Sequence, residues 1–282
     1  MCDQSTFEAD ALEYEARGLV TRKQFGVMLG AGVSMILPSV ANAVAVVDSE
    51  VNIKTPDGTA DCYFVHPASG TAPGVLIWPD IFGLRPAFRQ MGRRLAESGY
   101  SVLVANPFYR TTRGRTDTAP GDMTQMRTHA QQLNTTTHMT DAKAFTEWLD
   151  TQASVAKNRK IGTQGYCMGG PMAFRTAAAS DRVGAVASFH GGGLARETPD
   201  SPHTMAAKTK ARFLVAIAAN DDAKAPKDKD IIRETFAAAK IEAEIEVYTD
   251  SAHGWCPPDS RVYNEPKAEK AWARLLVLYG KL

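Results

Sequence analysis

The sequence predicts an α/β fold: a mostly parallel sheet covered by helices on both faces, forming a single domain from residue 44 onward. Three observations predict it. Short apolar runs alternate with segments of helical spacing, the pattern left when crossover helices join parallel strands. The run Gly74-Val75-Leu76-Ile77-Trp78 has no polar side chain, as a strand buried on both faces requires. The 282 residues, 44% hydrophobic and 22% charged, are enough for one sizeable core.

Val51 to Lys54 and Ala60 to His66 read as a hairpin turning at Asp57-Gly58. After the Gly74 to Trp78 strand, Phe88, Met91, Leu95 and Ala96 mark a helix from Pro86 to Ser98, stopped by Gly99. Ser101 to Ala105 is the next strand. The polar stretch Tyr109 to Thr137 reads as a surface excursion with a partial helix. Ala142, Phe145, Trp148 and Leu149 stripe a helix over Met139 to Leu149. Arg159 to Gln164 is a strand and Met168 to Ala179 the helix after it. Val183 to Ser188, Phe213 to Ala218 and Ala243 to Tyr248 add three strands. Helices Asp228 to Ala239 and Pro266 to Leu278 complete the alternation. Ligands in such a sheet bind beyond the carboxyl ends of the strands, so residues just past those ends are the first candidates.

Ahead of the domain, Thr21-Arg22-Lys23-Gln24-Phe25 precedes an uncharged, mostly apolar run from Gly26 to Leu37, then Pro38 and Ala41-Asn42-Ala43. A basic pair, an apolar segment too short to span a bilayer comfortably and a small-x-small cleavage site make residues 1–43 an export signal with an acidic leader. The string T-R-K-x-F is similar to a twin-arginine signal with Lys in the second position. Cleavage after Ala43 would give a periplasmic chain beginning at Val44, with no stable membrane insertion. A retained anchor helix and a cytoplasmic protein are the alternatives.

The formal net charge of +1, with dispersed Lys and Arg, excludes nucleic acid as a partner. Among Cys2, Cys62, Cys167 and Cys256 no pair has metal-ligand spacing, so neither a metal nor another cofactor is expected. Cys62 and Cys256 could bridge in an oxidising compartment, but burial as small hydrophobes is the preferred reading.

Gly165-Tyr166-Cys167-Met168-Gly169-Gly170 reads as G-x-C-x-G, a nucleophile elbow with a thiol. The glycines leave room for a tight strand-to-helix turn, which lifts Cys167 to the top of the sheet and aims the next N–H at a reacting carbonyl. A thiol there is a working nucleophile, because a helix N-terminus favours the thiolate. Such a nucleophile needs a base, and the base an orienting carboxylate. Asn220-Asp221-Asp222 follows one predicted strand and Ser251-Ala252-His253-Gly254 follows the next, in the order nucleophile, acid, histidine found in α/β-hydrolase chains. Asp221 or Asp222 orients His253; Asp221, the earlier of the two, is preferred.

Trp78-Pro79-Asp80-Ile81-Phe82-Gly83, Gly165 to Gly170, Asn220-Asp221-Asp222 and Ala252-His253-Gly254 together resemble the dienelactone hydrolase (carboxymethylenebutenolidase) family over Val51 to Leu278. The resemblance implies an α/β-hydrolase fold and a Cys–His–Asp triad that opens a small ester or lactone substrate through a thioester. Cys167 would be the nucleophile, His253 the base and acid, and Asp221 the orienter. The N–H groups of Met168 and Ile81 would form the oxyanion hole. It further implies a substrate-binding role for Asp80, where the family has a glutamate that meets the resting thiol, and for Arg110, the first arginine of a two-arginine carboxylate clamp. The second arginine belongs four residues after the histidine, where this chain has Pro257, so dienelactone itself is not assumed as substrate. His190, in His190-Gly191-Gly192-Gly193, is read as pocket lining. Two rivals remain: a non-catalytic small-molecule-binding protein on a hydrolase scaffold, and a redox role for Cys167.

Overall fold

The computed structural model describes residues 37–113 and 123–282; most of the proposed export signal, residues 1–36, lies outside the described residues. The described residues begin with an antiparallel hairpin, β1 (Val46–Thr55) and β2 (Gly58–Pro67), with Thr55 facing Gly58 across the turn. The strands are longer than predicted: β1 begins at Val46, and the exposed polar residues Asp48, Ser49 and Glu50 separate its first valines from the Val51 to Lys54 run. β3 (Gly74–Trp78) has the predicted bounds, and all five residues are buried. It leads to α1 (Pro86–Glu97), with Pro at the helix start, and then β4 (Ser101–Val104). Gly99, at φ +95°, makes the turn between them.

Two helices follow: α2 (Met123–Ala130), the partial helix of the polar excursion, and α3 (Thr135–Thr151). The latter starts earlier than its apolar stripe suggests, because Asn134 and Thr137 form a reciprocal capping box. β5 (Ile161–Tyr166), α4 (Gly169–Ala179) and β6 (Val183–Phe189) come next. A short α5 (Pro202–Ala206) precedes β7 (Arg212–Ala218). The chain ends with α6 (Ala219–Lys224), α7 (Asp228–Ala238), β8 (Ala243–Tyr248) and α8 (Glu265–Tyr279).

The strands form one eight-stranded sheet in the order β1-β2-β4-β3-β5-β6-β7-β8, parallel from β4 to β8. Alternate residues of each inner strand feed two cores. Leu76 and Trp78 pack with α3, α4 and α7 on one face, through Phe145, Phe174 and Phe236. Val75 and Ile77 pack with α1 and α8 on the other, through Phe88, Leu95 and Leu275. Strand order reverses at β3, whose neighbours are β4 and β5, so the crevice beyond the β3 and β5 carboxyl ends is the expected ligand site. Cys62 and Cys256 are free, buried thiols that belong to the two different cores, on opposite faces of the sheet. Burial raises both thiols above their ordinary value, Cys62 to about 12. Neither is a reactive cysteine.

Candidate active site

Cys167 sits between the end of β5 and the start of α4 at φ +54°, a left-handed conformation that costs a non-glycine residue about 1–3 kcal/mol unless its surroundings fix it. The glycines explain how the turn closes. A Cβ on Gly165 would run into the carbonyl of Gly169, and one on Gly169 into the carbonyl of Trp78. The elbow is therefore pressed against the end of β3, beside the loop that carries Ile81.

The N–H of Cys167 donates to Phe189 O and to His190 Nδ1, each at 3.1 Å. Met168 caps α4, and Ile81 lies just past β3; neither N–H hydrogen-bonds to another described residue. Their side chains share an apolar cluster with Met123 and Met126 of α2 and with Phe82. Two N–H donors beside a thiol, under an apolar cover, suit a carbonyl whose oxygen gains charge.

His253 and Asp221 are brought together. Nδ1 of His253 lies 2.7 Å from Oδ2 of Asp221, which places the ring proton on Nδ1 and leaves Nε2 as the basic nitrogen. The backbone N–H of His253 donates to Asn220 Oδ1 at 2.8 Å, so neighbouring residues of α6 hold both the ring and the loop of the histidine. Asn220 belongs to the Asn220-Asp221-Asp222 motif, but no local pattern singles it out. Asp222, the alternative orienter, accepts from Lys229 Nζ at 2.7 Å instead.

Asp80 and Arg110 are both held in ion pairs. Both oxygens of Asp80 take bonds from Arg85, at 2.6 and 3.0 Å, and Oδ1 also accepts the Phe82 N–H. Arg85 then reaches Asp259 at 2.6 and 2.9 Å. Burial alone would lower the Arg85 pKa, but Asp80 and Asp259 more than offset it and raise it above the ordinary value. Asp80 is thus half of a clamp tying the Ile81 loop to the loop after His253. Its shorter side chain serves that clamp.

The Arg110 guanidinium is likewise engaged, by both oxygens of Asp141 at 2.7–2.8 Å and by Asp57 in the hairpin turn. Asp141 is fully buried and also accepts from Tyr109 at 2.7 Å. Arg110 therefore neutralises a buried carboxylate, and its guanidinium is engaged within the protein.

His190, expected to line the pocket, occupies a more specific position. It is 1% exposed, at φ +42°, with its ring centroid 4.8 Å from that of His253 and 5.2 Å from that of Trp255. Because Nδ1 accepts the Cys167 N–H, the ring is neutral and its proton is on Nε2. Burial, followed by the charge of His253, holds its pKa well below the ordinary histidine value. Only the glycines around it hinted at this from sequence. Trp78 and Trp255 are fully buried core residues.

A family model for the dienelactone hydrolase family matches residues 60–282. A carboxymethylenebutenolidase of Rhodococcus opacus is 27% identical over 207 residues, covering 72% of this chain and 78% of its own. A solved structure titled m3DLH superposes with a TM-score of 0.72 at 25% identity, covering 84% of this chain and 98% of the other. A dienelactone hydrolase-like promiscuous phosphotriesterase from metagenomic libraries shares the fold at a TM-score of 0.71 and 20% identity, over 84% and 99% of the two chains.

Proposed function

The chain belongs to the dienelactone hydrolase family, and from that membership we propose that it hydrolyses a small ester or lactone through an S-acyl intermediate on Cys167. The observation that carries the reading is the 2.7 Å bond from His253 to Asp221 on the rim that also bears the Cys167 elbow. His253 Nε2 takes the thiol proton as the sulfur attacks the carbonyl carbon. The N–H groups of Met168 and Ile81 hold the oxyanion of the tetrahedral intermediate. As that intermediate collapses to the thioester, His253 returns the proton to the departing oxygen. Water then attacks the thioester with His253 as base, and the thiol leaves with the acid product. The cluster of Ile81, Phe82, Met123, Met126 and Met168 is the apolar wall beside the reacting carbon.

Cys167→Ala is the test. Wild type should hydrolyse p-nitrophenyl acetate and simple lactones, and the variant should lose that activity while keeping its melting temperature. A variant that still turned over both substrates would end the cysteine mechanism. A wild type inert across such a panel would favour the binding-protein reading. We further propose export with Val44 as the mature N-terminus, which N-terminal sequencing of the secreted chain tests against an intact Met1.

A further inference from the structure

We propose that His190 is a positioning residue for this reaction, joining nucleophile and base through one neutral ring: Nδ1 holds the N–H of Cys167 and the ring backs the imidazole of His253. Three observations converge on it. Asn42, Cys167, His190 and Lys240 are the non-glycine residues at positive φ among the described residues, and Cys167 and His190 are bonded to each other. Strain of this kind persists where surroundings over-determine it, and here each strained residue is part of the other's surroundings. Next, the ring stands edge-on to both His253 and Trp255, at interplanar angles of 65° and 64°. It fills the place behind the base that water or a mobile side chain would otherwise take. Lastly, Nε2 is buried and has no hydrogen-bond partner among the described residues. A buried donor left unpaired is costly, so an imidazole at this position is not explained by packing alone.

The chemistry fits a neutral ring. An imidazolium at position 190 could not accept the Cys167 N–H, and it would place a second positive charge against His253 just as His253 takes the thiol proton. The titratable groups facing the ring are Cys167, His253 and Tyr166, whose ring centroid lies 6.0 Å away. Locked as the Nε2–H tautomer with Nδ1 already accepting the Cys167 N–H, His190 does not compete with His253 for the thiol proton.

Two substitutions in the full chain separate the contacts. His190→Phe keeps a ring against His253 and Trp255 but offers no acceptor. His190→Asn keeps an acceptor near the Nδ1 position and tolerates the left-handed backbone, but removes the ring. Alkylation by iodoacetamide, followed on the Cys167 peptide by mass spectrometry, reads presentation of the thiol. Hydrolysis of p-nitrophenyl acetate reads kcat and KM.

We expect His190→Phe to lower alkylation and kcat about 10- to 100-fold with KM nearly unchanged, as a misplaced nucleophile does. His190→Asn should restore alkylation to within about threefold of wild type while kcat stays low, because one hydrogen bond returns and the support of His253 does not. Wild-type rates in His190→Phe, or no rescue by His190→Asn at equal melting temperature, would overturn the proposal. So would losses that merely track the unfolded fraction in both variants, which would make His190 a packing residue. The inference rests on the cysteine mechanism above, but alkylation requires no ester turnover. An active Cys167→Ala variant would remove that mechanism and leave the alkylation comparison standing.

Discussion

His253 bonds to Asp221 and not to Asp222, although the two carboxylates are adjacent in sequence and either could follow β7 into the site. Successive side chains on a helix point about 100° apart, so the short α6 delivers one carboxylate to the histidine and turns the next toward Lys229. Asp221→Asn should therefore lower kcat at least about 100-fold by presenting the wrong tautomer or orientation of the ring. Asp222→Asn breaks a partly exposed ion pair and should cost no more than about 1 kcal/mol of stability. Steady-state kinetics of the two variants side by side check this, and equal kinetic losses would contradict the assignment.

Arg110 makes the opposite kind of prediction. Removing its guanidinium leaves Asp141 buried beside Tyr109, so Arg110→Met should destabilise the protein by about 3 kcal/mol, less whatever the Tyr109 bond retains. The ratio of kcat/KM between a carboxylated ester and its neutral isostere should not change. Arg110→Met combined with Asp141→Leu should recover much of the lost stability, because no charge is then stranded. Urea unfolding and a paired-substrate assay test the two halves. A collapse of carboxylate preference at unchanged stability would restore Arg110 as a substrate anchor.

Acid stability should carry the mark of His138. It is buried against Arg175, whose Nη1 lies 3.0 Å from its Nδ1. Burial first, then the charge of Arg175, lowers its pKa from 6.5 to about 3. Below pH 6.5 the unfolded chain binds a proton there that the folded chain refuses. Stability from this group is complete above that pH and falls with acidification at up to about 1.4 kcal/mol per pH unit. His138→Gln keeps an acceptor for Arg175 without a titrating ring. Guanidinium unfolding at several values between pH 4 and 7 should give it a shallower decline than wild type, and equal slopes would refute the account.

Local chemistry made much of the fold legible. β3 and β8 have the bounds their residues predict, since an apolar run or a β-rich segment between turns states its own ends. α6 is not legible in the sequence because it buries no side chain and so has no apolar stripe. The first turn of α3 was missed because three threonines hide a helix that Asn134 begins. At the site, the elbow and the Asp–His order were readable because their chemistry requires particular residues at particular strand ends. What remained hidden were pairings set by tertiary approach. Arg85 meets Asp259 across 174 positions, and Arg110 meets Asp57 across 53. No local pattern announces that Asp80 and Arg110, the two substrate-binding candidates, are engaged in ion pairs within the protein. His190 belongs to the same class, since only its neighbours distinguish it from a loop histidine.

Hydrolysis through Cys167 requires a covalent acyl–Cys167 intermediate. Its most direct test is acid quenching of the full chain during turnover of a p-nitrophenyl ester, followed by peptide mass spectrometry. The peptide carrying Cys167 should gain the mass of the acyl group, which neutral hydroxylamine removes as it does from a thioester, and Cys167→Ala should show no such adduct. An acyl group on another side chain, or full turnover with no adduct on Cys167 in an acid-quenched pre-steady-state burst, would contradict it.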